Sequence, residues 1–177
     1  MVQFNMKNKE ISPWREAGYN ASRINPISSM ISADESLYLH WLAREYYQGT
    51  GEIVDGGCLL GGSTVSLASG LVANPRVSQK EKRINSYDLW CYSSGFKESI
   101  LPDSKLQDGD SLLPLFLANT KLYESNIEPY PGDVCQRHWN GQSIEIFFVD
   151  FSKSWAINNH IIKEFFGSLI PGKSIVI

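Results

Sequence analysis

Between Gly51 and Thr64 the chain reads GEIVDGGCLLGGST, a short apolar run closed by an acid and followed by four glycines within seven residues. That order predicts a strand, a tight turn and a helix in immediate succession. Gly56, Gly57, Gly61 and Gly62 accept positive φ and let a ligand approach the backbone closely. The helix expected to open near Ser63 and Thr64 aims its first N–H groups at the same point. Asp55 ends the strand at that crevice, where it repels a phosphate and attracts a cationic amino group or a hydroxyl.

What surrounds this turn is one domain's worth of chain. At 177 residues, with 42% hydrophobic and 20% charged residues, the sequence has the make-up of a single globular domain. A formal charge of −3 offers no attraction to nucleic acid or anionic lipid, and neither is expected as a partner. Cys58, Cys91 and Cys135 are an odd number without metal-ligand spacing, which argues for a reducing compartment. The first ten residues lack the apolar core of a signal peptide, and the run around Ile146 to Val149 is too short to span a bilayer, so the expectation is a cytoplasmic protein. Asn20-Ala21-Ser22 fits a glycosylation sequon but carries little weight without a secretion signal.

Residues 1–30 are polar and aperiodic, with Pro13 and Pro26, and read as a lead-in arm whose Trp14 and Tyr19 could dock elsewhere. Residues 31–177 read as the domain proper. Ser32 and Glu35 form a capping box ahead of Leu37, Tyr38, Trp41, Leu42 and Tyr46 at helical spacing, with Gly49 as the stop. After the glycine turn, Val65, Ala68, Leu71 and Val72 make a second helical stripe ended by Pro75. SQKEKR reads as a surface loop, RINSYDLW as a short strand ending at Asp88, and Cys91 to Gly109 as loop. DSLLPLFLANTKLYES reads as a helix with Asp110 as N-cap and Pro114 in its first turn. NIEPYPGD suggests a short strand, and IEIFFVDF a strand buried on both faces. A helix over SWAINNHIIKEFFGSL and a last strand in PGKSIVI complete the alternation. Strands alternating with helices predict an α/β fold, a Rossmann-like, mostly parallel sheet with helices on both faces.

Acids recur at equivalent places: Asp55, Asp88 and Asp150 close three strands, and Asp133 follows a Pro-Gly turn near the same edge. In an open α/β sheet these carboxyl ends face one ligand-binding crevice. Each acid alone is ordinary turn chemistry; their coincidence with the glycine turn makes them candidate site residues. A nicotinamide dinucleotide would require glycine where Leu59 stands and has no regular use for Asp55. Trp90, beside Asp88, has a claim to the pocket as strong as its claim to plain packing, whereas Trp41, Tyr46 and Tyr47 read as helix-packing residues.

The ordered set IVDGGCLLGGST, NSYDLW, YPGDV, FFVDFSKSW and IPGKSIVI resembles the class I S-adenosylmethionine-dependent methyltransferases, and more narrowly the macrocin O-methyltransferase family and its relatives. The similarity runs from about Ile27 to the end. It implies that Asp55, Gly56, Gly57 and Gly61 contact or shape the methionine end of S-adenosylmethionine, with Gly62, Ser63 and Thr64 opening the helix beside it. It also implies that Asp88 holds the ribose hydroxyls, Leu89 packs on adenine and Asp133 lies near the exocyclic amine. The activity implied is O-methylation of a hydroxyl on a sugar or similar polar small molecule.

For the base that unloads the hydroxyl the candidates are Asp150 and His160, with Lys153 close by and His138 no better placed. Relatives often carry a second acid two residues after the strand-end Asp, where the pair binds a divalent cation. This chain has Ser152 there, which argues against metal dependence and leaves room only for a single hard cation held by Asp150 and waters. The resembled fold also continues past its fifth strand, so the chain is expected to be either a fragment or a shortened member whose exposed sheet edge a partner covers, and a homo-oligomer is expected. A catalytically silent module that keeps the fold for binding or assembly is the alternative reading.

Overall fold

The computed structural model describes residues 12–16, 18, 20–77, 83–96 and 100–177. The N-terminal decapeptide, Tyr19 and most of SQKEKR lie outside the described residues. Among the described residues five strands form one sheet: β1 Glu52–Gly56, β2 Ile84–Asp88, β3 Ile127–Pro131, β4 Ile144–Val149 and β5 Ile175–Val176, in the order β3-β2-β1-β4-β5. Every neighbouring pair is parallel. The central strand β1 is buried along its whole length, and β4 buries all of its apolar run except Val149. Order reverses between β1 and β4, so the crevice of a doubly wound sheet opens above that junction.

Among the described residues six α-helices accompany the sheet: α1 Pro13–Glu16, α2 Ala21–Ile24, α3 Ala33–Trp41, α4 Gly62–Ala73, α5 Leu113–Asn119 and α6 Trp155–Phe165. Both halves of the expected capping box are made at α3, Ser32 accepting from the Glu35 N–H and Glu35 from the Ser32 N–H. α3 continues as a π-helical turn over Leu42–Tyr46, closed by the Tyr47 N–H to the Leu42 carbonyl. α3 and α4 cover one face, where Leu39, Leu42, Leu67 and Leu71 pack on Ile53, Ile84 and Ile146. α6 covers the other, where Ile161 and Phe165 meet Val54, Tyr87 and Phe147.

Two boundaries differ from expectation. α5 begins at Leu113 with Pro114 inside its first turn, as expected, but Asp110 does not cap it; its carboxylate accepts from the Gln107 N–H and braces the preceding loop instead. The helix also stops at Asn119, and Lys121–Asn126 tightens into a 3₁₀ turn. The described part of the lead-in arm carries two short helices, α1 and α2, where no periodicity was expected: Trp14 packs on Tyr38 and Trp41 and donates to Asp34, and α2 packs against α3 and α4.

Candidate functional site

The carboxyl ends of all five strands converge on one cleft of about 1040 Å³. Gly57 comes from the end of β1, Asp88 and Leu89 from β2, Gly132 and Asp133 from β3, Asp150, Phe151 and Lys153 from β4, and Ile177 from β5. Backbone hydrogen bonds hold these ends together beyond the strands, from Gly57 N to Tyr87 O, Asp150 N to Gly56 O and Gly132 N to Asp88 O. Met30, Ile31 and Glu35 close the opposite wall. A hollow of about 40 Å³ continues beneath this segment, lined by Ser29, Cys58, Leu60 and Ser63 as well as by residues of the main cleft.

Of the residues proposed from sequence, Gly57, Asp88, Leu89, Asp133 and Asp150 line the cleft, and Ser63 lines the hollow. Asp55, Gly56, Gly61, Gly62 and Thr64 do not; they are buried in the frame beneath it. Asp55 has no exposed surface, and its Oδ2 accepts from Thr64 Oγ1 at 2.5 Å and Ser63 Oγ at 3.1 Å. Its Oδ1 is buried without a hydrogen-bond partner. Burial pushes this carboxyl up to about 6, against the pull of the two hydroxyls. Asp55 therefore shapes the turn from below instead of facing the crevice.

The glycines are there for close packing as much as for ligand access. Gly57 has φ 92, and a Cβ on it would lie 2.9 Å from the Asp150 carbonyl carbon, so only glycine lets β1 and β4 close at the floor of the cleft. A Cβ on Gly62 would fall 2.2 Å from Ser29 Oγ, because the lead-in segment sits on the start of α4 and Asn25 Nδ2 donates to the Gly62 carbonyl.

Asp88 is the most engaged of the acids. Its Oδ2 accepts from Leu59 N at 2.8 Å and its Oδ1 from Trp90 N at 2.6 Å. Burial raises its pKa, the two N–H groups lower it and the Asp150 charge raises it again. Leu89 beside it is 62% exposed and Met30 across the cleft 67%, two apolar side chains held open to the crevice. Trp90 does not enter the pocket; it is 2% exposed and packs on Phe116. Asp133 caps the Val134–Gln136 turn by accepting from Cys135 N.

On the β4 side Lys153 Nζ donates to Asp150 Oδ1 at 2.5 Å. His160 is not brought to this site: its Nε2 pairs with the Arg137 carbonyl, tying α6 to the loop before β4. His138 pairs with Glu164, also away from the cleft. Ser152 Oγ donates to Asn158 Oδ1, and the described residues contain no group of three or more His, Cys, Asp or Glu able to hold a metal. The wall formed by Met30, Ile31 and Glu35 carries no site signal in the sequence, where Glu35 reads only as a capping residue. The polarity of its neighbours masks the fact that α3 starts at the rim.

No helix among the described residues is long and apolar enough to cross a membrane. No protein-family model matches the chain, and a search of curated proteins gave no match. Among solved structures, the crystal structure of CalS11, a calicheamicin methyltransferase, is similar over 98% of this chain and 79% of that one, with a TM-score of 0.53 at 12% identity. The likeness is one of fold: the chain has a Rossmann-like α/β fold, a parallel sheet with helices, shared with that methyltransferase.

Proposed function

We propose that the chain is an S-adenosylmethionine-dependent methyltransferase acting on a hydroxyl of a sugar or similar polar small molecule. The observation that carries this reading is the convergence of Gly57, Asp88, Leu89 and Asp133 with Asp150 in one cleft. These residues fit the donor. Asp88 offers its remaining lone pairs to two ribose hydroxyls, Leu89 an apolar surface to a base, and Gly57 a floor without a side chain. The lining holds Glu35, Asp88, Asp133 and Asp150 against Lys153, an excess of acid that attracts a cationic ligand. Its volume reaches the top of the range of about 300–1,000 Å³ usual for small-molecule sites, room for an acceptor beside a donor.

Bound S-adenosylmethionine would supply an electrophilic methyl on a sulfonium. The chain's part is to hold the acceptor oxygen in line with it and take its proton, and positioning alone accounts for much of such a rate. Asp150 is the acid on the acceptor side; Lys153 occupies Oδ1 and leaves Oδ2 for the hydroxyl. Calorimetric titration with S-adenosylmethionine and S-adenosylhomocysteine tests the donor site, and a folded protein that gives no heat with either defeats the reading. Methylation of candidate acceptors, followed by mass and abolished by Asp150→Ala, tests the chemistry. The alternative, a module that binds without turnover, draws on the lack of a histidine in the cleft lining and predicts donor binding with no methylated product.

A further inference from the structure

Two residues other than glycine have positive φ among the described residues, Leu59 and Trp90, both at 45°. They lie on different connections, Leu59 in the turn after β1 and Trp90 beyond β2, yet they are joined at three points. Asp88 accepts from the N–H of each, and Trp90 Nε1 donates to the Leu59 carbonyl at 2.7 Å. The left-handed region is unfavourable for a leucine, and a branched side chain there persists only where its surroundings hold it. Leu59 also lines both the cleft and the hollow beneath the lead-in segment.

We infer that Trp90 is a positioning residue, whose indole N–H locks Leu59 into a glycine-like backbone conformation and thereby sets the shape of the ligand seat. The indole is itself fixed: its ring packs 4.6 Å from that of Phe116, and the Trp90 carbonyl accepts from Leu112 N at the start of α5. From α5, Asn119 Nδ2 grips the next carbonyl, that of Leu60, at 2.9 Å. The segment after β2 and the helix that follows thus hold a turn more than thirty residues earlier in sequence. The glycine-rich turn carries no glycine at position 59, and the clamp replaces the conformational freedom a glycine would bring.

The effect on ligand affinity rests on the donor reading above; the effect on the turn does not. The test uses Trp90→Phe, Leu59→Gly and the double variant, each titrated with S-adenosylhomocysteine, together with hydrogen exchange at the residue 59 amide. Trp90→Phe is expected to weaken binding about tenfold and to speed that exchange at least tenfold. With glycine at 59, which needs no clamp, the affinity effect of Trp90→Phe shrinks below threefold. A full-sized effect in the Leu59→Gly background, or unchanged exchange in Trp90→Phe, overturns the inference. If Trp90→Phe does not fold, replacing Trp90 with β-(3-benzothienyl)alanine keeps the ring volume and removes only the N–H, and the same outcomes apply. Should the wild-type chain not bind S-adenosylhomocysteine, the donor reading fails while the exchange result still decides the clamp.

Discussion

Thr64 Oγ1 donates a 2.5 Å hydrogen bond to Oδ2 of Asp55, tying the first turn of α4 to the carboxyl end of β1 at a carboxyl with no exposed surface. Its other oxygen has no partner, and burial raises the group from 3.8 to about 6. The folded chain therefore keeps this proton where the unfolded chain has lost it. The stabilisation is complete below 3.8 and fades as pH rises through about 6, by on the order of 2–3 kcal/mol. Asp55→Asn carries no such proton, so its melting temperature relative to wild type should climb from pH 4 to pH 7. Thermal scans that run parallel across that range would contradict the buried acid.

Asp88→Ala removes the acceptor for two N–H groups at once, those of Leu59 and Trp90. Leaving them unpaired should cost about 1–3 kcal/mol each. Affinity for S-adenosylhomocysteine is expected to fall at least a hundredfold, because the ribose partner is lost and the turn loosens together. Denaturant melts and calorimetry on one preparation separate the two losses; unchanged affinity in a destabilised variant would remove Asp88 from the binding role.

Gly57→Ala and Gly141→Ala make a matched pair, since both glycines have positive φ. A Cβ at 141 meets nothing within 4 Å, so the change costs only backbone strain, about 1–2 kcal/mol, and leaves ligand binding alone. A Cβ at 57 presses on the Asp150 backbone and must part β1 from β4 at the floor of the cleft. More than tenfold weaker binding is expected at 57 and less than twofold at 141. Equal effects on affinity would show that the floor does not set the site.

How far the sequence reveals this site follows from how local each interaction is. The strand, glycine turn and helix are written within Gly51 to Thr64, and the acids at Asp88, Asp133 and Asp150 follow from where strands end. Facing is not legible in the same way. Asp55 looks like a ligand-facing acid until Ser63 and Thr64 are seen to turn back onto it, and His160 looks free until the Arg137 carbonyl is placed beside it. The wall from Met30 to Glu35 and the Trp90 to Leu59 bond join segments about thirty residues apart, and no short-range periodicity encodes them.

Glu145 lies at the other end of β4, and its consequences should be the reverse of those at the carboxyl edge. It is 2% exposed, and its carboxylate accepts from Gln48 N at 2.6 Å, Thr50 N at 2.7 Å, Thr50 Oγ1 at 2.9 Å and Gly51 N at 3.2 Å. One acid thus satisfies three backbone donors in the turn that delivers the chain into β1. Hydrogen bonds to a charged group contribute roughly 1.5–3 kcal/mol each, and orphaning buried donors adds to the loss. Glu145→Ala should therefore cost at least about 3 kcal/mol, and Glu145→Gln, which keeps one acceptor oxygen, less. Because the turn it braces enters β1 at the edge away from the cleft, the folded fraction of either variant should bind S-adenosylhomocysteine as wild type does. Chemical denaturation gives the order of stabilities and titration the affinities. A Glu145 variant that stays folded but loses affinity would mean that strain at the amino edge of the sheet reaches the ligand seat through β1 and β4.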